Sequence, residues 1–393
     1  MRIYILPYTH KTYFDANKFH SGIDVSMLTQ FHALQKLGHE VRMFCAFGNL
    51  QNYYSNVDYI SDVMPKYDKV SRKFYQNVQK QMLEAISHFS PDLILSNYGL
   101  NKIAYENLEK LNVPVIHYSH AMPGSWSDIN FGNYLHEFAK RNTICCVSKT
   151  HYEGMVEYYR SNKTKWYFDE IIPDSILFSQ YANSNVTVQE HDDTVRHVSA
   201  LNKEKATFYL FDALSGSNYN FEIYTSANYK GFSEKQQDYY DRFAKKYDNL
   251  NDHVYFNVEH SKIMDSYGKS VCNFVGCAND TFTITSLESL MRGVPLIVDL
   301  NKNFYHPAFE MLPSDISDKY IKGIKKGRTR PEEFQRIVNS FRDMTLDDRR
   351  KLSRQALSVL GKENYLKSME SLVSDAVNKY NRTEKVTGLE GFI

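Results

Sequence analysis

Apolar runs of strand length alternate with stretches of helical periodicity along almost the whole chain. "RIYIL" at residues 2–6 reads as a first strand, and Val25, Leu28, Phe31, Leu34 and Leu37 then recur at the spacing of one helix face. Gly38 follows where a helix C-terminus favours a residue that tolerates positive φ, and "HEVRMFCAF" predicts the second strand. The rhythm continues with a helix over about 68–89, the strand "DLILSN", a helix around 101–110, the strand "VPVIHYSH", a helix near 132–140 and the strand "TICCVS". Strands separated by helices need crossover connections, so the predicted sheet is parallel and the class α/β.

"KWYFDEIIPDSILFSQY", residues 165–181, breaks the rhythm and reads as a passage between domains. A second series follows: "TVRHVSAL", "KATFYLFDALSG", "YNFEIYTS", a polar helix over 233–246, "HVYFNV", "KIMDSYGKS", "VCNFVG" and amphipathic helices from about 331 to 379. The expected organisation is one parallel-sheet domain over 1–168, a second over 169–362, and a segment over 363–393 that crosses back onto the first. A length of 393 residues agrees, because single cores rarely grow past about 250–300 residues.

Composition excludes more than it selects. Hydrophobic residues at 42% and charged residues at 24% are the proportions of a folded chain. The 47 basic and 46 acidic side chains nearly cancel, so binding to a polyanion would need a local basic patch. Cys45, Cys145, Cys146, Cys272 and Cys277 sit mostly inside apolar runs and lack zinc-type spacing, which reads as reduced, buried thiols of a cytoplasmic protein. No run approaches about 18 apolar residues, so no membrane span is expected.

Candidate chemistry concentrates in "DTFTITSLESLMRGVPLIV", residues 280–298, where Asp280 and Glu288 precede a Gly293–Pro295 turn. Eight positions on one helix separate the two acids by roughly 80° of rotation and about 12 Å of rise. They cannot form one tight carboxylate pair, and suit two separate grips on a long ligand. The plainer alternative is that Asp280 caps the helix and Glu288 is solvated.

With Gly293, Pro295 and Ile297, this stretch resembles the Glu-x7-Glu and Gly-x-Pro pattern of the retaining family 4 glycosyltransferases of GT-B fold, with Asp in place of the first Glu. The resemblance implies two Rossmann-like parallel-sheet domains facing across a cleft, the first on the acceptor side and the second binding the nucleotide sugar. It implies a UDP-sugar as donor substrate, a hexosyl or pentosyl transfer, and no metal or other cofactor. By resemblance Glu288 accepts hydrogen bonds from the donor ribose and Asp280 from the sugar, as two-oxygen acceptors suit vicinal diols. Backbone N–H groups at Thr283, Ile284 and Thr285 would favour the diphosphate. "VSALNKEKA", residues 198–206, resembles the family's "VGRLxxEKG", which sets Lys205 beside the diphosphate as negative charge grows there. The family arginine is Ala200 here, so either Lys203, Lys149 or Arg292 supplies the charge or the site has lost its activity.

In the first domain, "HSGIDVSMLTQFHALQKLGHEV" resembles the family's glycine-rich turn and helix, with Gly22 allowing close backbone approach to the donor. His120, closing "VPVIHYSH", falls on the family's strand-end histidine near the transferred sugar; Ser148 ends the next strand, and His117 reads as structural. The implied reaction retains anomeric configuration, with a departing phosphate oxygen taking the acceptor's proton.

The order of pieces also resembles the α-glucosyltransferases that bacteriophages use on hydroxymethylated cytosine, which implies double-stranded DNA with modified bases as acceptor. "KGIKKGRTR", residues 322–330, offers Lys322, Lys325, Lys326 and Arg328 to phosphates, and "PGSWSD" offers Trp126 for stacking on a flipped base; the plainer alternative is ordinary solvated lysines. A rival reading is a bacterial cell-envelope or capsular glycan transferase that touches the membrane through the basic amphipathic helix at 68–89. A third, motivated by Ala200, is a nucleotide-sugar binding protein without transfer activity.

Overall fold

In a computed structural model the described residues are 1–7, 13–14, 22–48, 50–52, 54–61, 72–97, 108, 110–120, 138–166, 173–182, 186–226, 233–277, 281–300 and 305–389. They form two compact units, Met1–Tyr181 with Glu363–Ile393, and Ala182–Lys362.

The first unit is built on an eight-stranded sheet of β1 (Arg2–Leu6), β2 (Tyr13–Phe14), β3 (Glu40–Gly48), β4 (Val57–Ser61), β5 (Leu93–Ser96), β6 (Val115–Ser119), β7 (Thr143–Cys146) and β8 (Ser175–Ile176). The order is β2-β3-β1-β5-β6-β7-β8, with β4 also pairing β3, and every described pairing is parallel. Strands β5, β6 and β7 are buried at every residue, which is why they read as continuous apolar runs instead of alternating ones. The short strand β8 lies inside the stretch read as a domain passage, pairing Cys145 with Ser175 and Cys146 with Ile176. Two- and five-residue strands β2 and β4 have too little pattern to be seen in sequence.

Helix α1 (Gly22–Lys36) buries Met27, Leu28, Phe31 and Leu34, and stops at Gly38 with φ of 83°. Helix α2 (Arg72–Phe89) sets Val78, Met82, Ile86 and Phe89 against Tyr4, Phe44 and Ile94 of the sheet. Its apolar stripe is therefore covered by the sheet. Helix α3 (Lys149–Trp166) follows β7. The helix expected around 101–110 falls almost wholly outside the described residues, and of the one near 132–140 only the described end, 138–141, is seen to be helical.

The second unit carries six parallel strands, β9 (Thr194–Ala200), β10 (Asn220–Ser226), β11 (Val254–Phe256), β12 (Cys272–Val275), β13 (Leu296–Asp299) and β14 (Ile321–Ile324), in the order β11-β10-β9-β12-β13-β14. Successive strands are added outward in one direction from β9 and in the other from β12, a topological switch point at which the loops leaving these two parallel strands part to opposite sides and open a crevice. The helices longer than one turn are α4 (Tyr209–Leu214), α5 (Glu234–Ala244), α6 (His260–Gly268), α7 (Ile284–Met291), α8 (Pro331–Arg342) and α9 (Leu346–Leu360). Ser233 with Gln236, and Thr345 with Asp348, form capping boxes that start α5 and α9.

Gly293 ends α7 with φ of 70°, and a Cβ there would lie 2.2 Å from the Arg349 carbonyl oxygen. Arg349 is itself buried and donates to the carbonyls of Gly268 at 2.6 Å and Ser270 at 3.2 Å, taking acceptors left over at the end of α6. The last helix, α10 (Lys362–Leu389), buries Tyr365, Met369, Leu372, Val373, Ala376 and Tyr380 at helical spacing and belongs to the first unit. Lys379 pairs with Asp174 at 2.6 Å, and the Tyr380 hydroxyl donates to Asn112 Oδ1 at 3.0 Å while accepting from Arg141 at 3.0 Å. Among the described residues no helix is long and apolar enough to cross a membrane.

Candidate active site

In the second unit the candidate residues gather at the carboxyl ends of the strands that flank the crevice. Thr283 precedes α7, but its hydroxyl donates to Ser286 Oγ at 2.6 Å and makes no side-chain cap to the helix backbone. The first N–H groups of α7 carry the positive end of the helix and are not capped by the Thr283 side chain, with Ile284 and Thr285 partly exposed. One turn on, Glu288 Oε1 lies 3.2 Å from His260 Nε2; the Glu288 side chain is 15% exposed and that of His260 75%. The Glu288 carboxylate raises the His260 pKa through this hydrogen bond, against a smaller desolvation penalty. Arg292 donates to the Glu288 carbonyl at 2.9 Å, so its guanidinium is turned along α7.

Lys205 lies in the turn between β9 and α4. Thr207 organises that turn, donating to the Ala200 carbonyl at 2.8 Å and accepting from the Asn202 N–H at 3.0 Å. The buried ring of His197 lies between two carbonyls, with Nδ1 2.8 Å from that of Phe274 and Nε2 3.2 Å from that of Lys205. Burial lowers its pKa to about 4. A Cβ on Gly276 would stand 2.4 Å from the Lys205 carbonyl oxygen and 2.8 Å from Ala206 Cβ, so only glycine lets the loop after β12 close on the lysine turn.

A further cation reaches this turn from β14. Lys326 Nζ donates to the Lys203 carbonyl at 3.3 Å, its own N–H donates to Asp299 Oδ1 at 2.9 Å, and its charge acts on His197 together with that of Lys205. Of the cations expected to replace the arginine, Lys149 belongs to the first unit and pairs with Glu153 at 3.6 Å, Arg292 turns along its helix, and Lys203 meets Lys326 through its carbonyl. Sequence reading missed Lys326 in this place because 121 residues separate it from Lys205 and only the sheet order joins them. Of the neighbouring basic residues, Lys322 Nζ donates to the Asp318 carbonyl at 2.5 Å, and a backbone bond of 3.0 Å from the Arg328 N–H to the Lys325 carbonyl closes the turn after β14.

The first unit sets its polar groups at the ends of β5, β6 and β7. His120 Nε2 lies 2.8 Å from Asn97 Oδ1, and the Tyr118 ring stands edge-on to the imidazole with centroids 4.9 Å apart. Burial, with His151 and His117 nearby, lowers the His120 pKa to about 3. Asn97 and Gln30 pair through their buried amides, a feature without any sequence motif. Ser148 is buried and accepts from the His151 N–H at 3.0 Å, so its hydroxyl starts α3. His117 is buried against Phe138. Gly22 is the first residue of α1, whereas Asp280 and Trp126 lie outside the described residues. Among the described residues no three His, Cys, Asp or Glu side chains are grouped to hold a metal ion.

Two Rossmann-like parallel sheets with their polar residues at the carboxyl strand ends define the fold, that of GT-B, and the solved structures below share it. Residues 20–167 match the model of Glycosyltransferase Family 4. No curated protein matches the sequence. Among solved structures, HepE of Anabaena, in complex with UDP and glucose, is 13% identical with a TM-score of 0.67 over 95% of this chain and 99% of that one. Sucrose-phosphate synthase of Thermosynechococcus elongatus is 12% identical with a TM-score of 0.68 over 95% and 98%. The lipopolysaccharide outer core galactosyltransferase WaaB is 13% identical with a TM-score of 0.60 over 95% and 99%.

Proposed function

We propose that the chain is a retaining glycosyltransferase that moves a sugar from a UDP-sugar to a hydroxyl acceptor. The observation that carries this reading is the second unit's crevice, where the start of α7, Glu288 one turn further on, and the Lys205 turn joined by Lys326 lie at the carboxyl ends of the strands. A nucleoside diphosphate matches that order of groups: N–H dipoles and ammonium charges for the phosphates, and a carboxylate for the ribose diol. Lys205 and Lys326 together supply the charge that the family pattern assigns to an arginine at Ala200, and they stabilise the diphosphate as it leaves. The family pattern assigns the transferred sugar to His120 and its hydroxyls to Asp280. The donor complex of HepE supports UDP as the nucleotide.

For the acceptor we favour a glycan of the bacterial envelope. WaaB, of the same fold, is a lipopolysaccharide galactosyltransferase, while the basic run proposed for DNA has Lys322 and Lys326 hydrogen-bonded within the second unit. The deciding experiment offers radiolabelled UDP-glucose, UDP-galactose and UDP-N-acetylglucosamine with lipid-linked glycans, hydroxymethylated DNA or plain DNA. Label in glycan is the expected result. Label confined to hydroxymethylated DNA would move the acceptor to the nucleic acid, and UDP binding without turnover on any acceptor would leave a binding protein.

A further inference from the structure

We propose that His197 is a positioning residue that takes up a proton when a nucleoside diphosphate binds, and that as an imidazolium it ties the Lys205 turn to the end of β12. This rests on the reading of that turn as the diphosphate site. His197 lies on β9, is 1% exposed, and has Ile223 of β10 and Phe274 of β12 as its neighbours in register. Its Nδ1 lies 2.8 Å from the Phe274 carbonyl oxygen and its Nε2 3.2 Å from that of Lys205. A carbonyl oxygen can only accept, and a neutral imidazole has one N–H to give. The neutral ring therefore donates to the nearer carbonyl, that of Phe274, and turns the Nε2 lone pair towards the Lys205 oxygen in a buried site. Only the imidazolium, a donor at both nitrogens, satisfies both contacts.

The surroundings hold the free ring neutral against that preference. Burial disfavours the charge, and the charged groups that act on it are both cations: Lys205, on the turn after its own strand, and Lys326, on the turn after β14. Asp299, at the end of β13, accepts from the Lys326 N–H at 2.9 Å, and the Lys326 ammonium donates to the Lys203 carbonyl at 3.3 Å. Tyr209 of α4 packs on the Phe274 ring with centroids 5.1 Å apart. A diphosphate drawn to the two ammonium groups brings its negative charge to the same place, so the repulsion between the lysines and the ring is offset. The ring then takes one proton from solvent at Nε2, gains one positive charge, and forms no bond to the ligand. Nε2–H donates to the Lys205 carbonyl while Nδ1–H keeps that of Phe274. The loop after β12 already lies against the same Lys205 carbonyl, 2.4 Å from where a Cβ on Gly276 would stand, so the imidazolium fastens two segments that are packed together. Charge arriving on the ligand is thereby turned into a fixed lysine turn.

The test is nitrogen and carbon NMR of histidine-labelled protein, titrated with and without UDP. The His197 signal is assigned by its loss in His197→Gln or, if that variant does not fold, by its nuclear Overhauser contact with the Phe274 ring, whose centroid is 5.0 Å away. Without UDP the expected result at pH 6 is a neutral ring protonated on Nδ1. With UDP bound the titration midpoint should rise by about 1–3 pH units, the usual effect of an opposite charge close to a titrating group, with both nitrogens protonated below the new midpoint. Lys326→Gln should raise the midpoint in the free protein, because it removes one of the two opposing cations. A free ring protonated on Nε2 or on both nitrogens at pH 6, a midpoint unmoved by Lys326→Gln, or one that UDP leaves unmoved while calorimetry shows it bound, overturns the proposal and leaves the donor reading standing. If UDP does not bind, or binds Lys205→Gln as tightly as the wild type, the diphosphate site itself is misplaced and both readings fall.

Discussion

Glu288 is already engaged by a mostly exposed histidine at the first turn of α6. A ribose diol would have to compete with that imidazole for the same carboxylate oxygens. Protonation strengthens the His260 to Glu288 bond, and the His260 pKa is raised above its ordinary value, so the competition is strongest on the acid side. UDP affinity measured by calorimetry should therefore increase from pH 6 to pH 8, and His260→Ala should flatten that dependence. Glu288→Ala removes charge-assisted hydrogen bonds worth about 1.5–3 kcal/mol, so UDP binding should weaken roughly 10- to 100-fold. An unchanged UDP affinity in Glu288→Ala would remove the ribose from this residue.

At the level of elements, the proposed donor site depends on two loops fitting closely. The turn carrying Lys205 lies against Gly276, and the strand-end residue Asp299 tethers the Lys326 backbone beside it. Gly276→Ala pushes a methyl group into the Lys205 carbonyl; UDP affinity should fall about tenfold or more while the fold survives, as checked by calorimetry beside a thermal melt. Lys326→Gln should slow transfer about tenfold or more, and the loss should be shared with Lys205→Gln, the double variant falling short of the product of the single effects. Gly293→Ala acts on stability instead, because it combines positive φ with a clash against Arg349; a loss of about 2–4 kcal/mol in urea unfolding is expected.

Across the whole molecule, each unit buries uncharged histidine. His117 in the first and His306 in the second have pKa values lowered to about 3, and His197 one lowered to about 4, chiefly by desolvation. Their folded-state pKa values lie below the unfolded value near 6.5, so below that pH the unfolded chain takes up protons that the folded one refuses. Each group then costs up to about 1.4 kcal/mol per pH unit, until its folded pKa is reached. Urea midpoints should be level above pH 7 and fall steadily from pH 6.5 towards pH 4, and His117→Gln should reduce that slope. Helix α10 closes the first unit although it follows the second in sequence, so truncation after Lys362 should destabilise the first unit and leave the second's own core residues in place.

The chain by itself determined a good deal. Continuous apolar runs at β5, β6, β7 and β12 declared buried parallel strands, helical stripes declared α1, α2 and α10, and the spacing from Glu288 to Pro295 declared the α7 turn, because burial on both sheet faces and on one helix face writes directly into residue order. The groups that only the tertiary structure decided are those whose partners are far apart in sequence. Lys326 reads as part of a basic run until β14 is set beside β13 and brings it to the Lys203 carbonyl. Asn97 and Gln30, 67 positions apart, carry no pattern at all until β5 and α1 pack together and their amides pair. Periodicity records which face of an element is buried, but hydrogen-bond partners at strand ends depend on sheet order, and sheet order is a property of the folded chain alone.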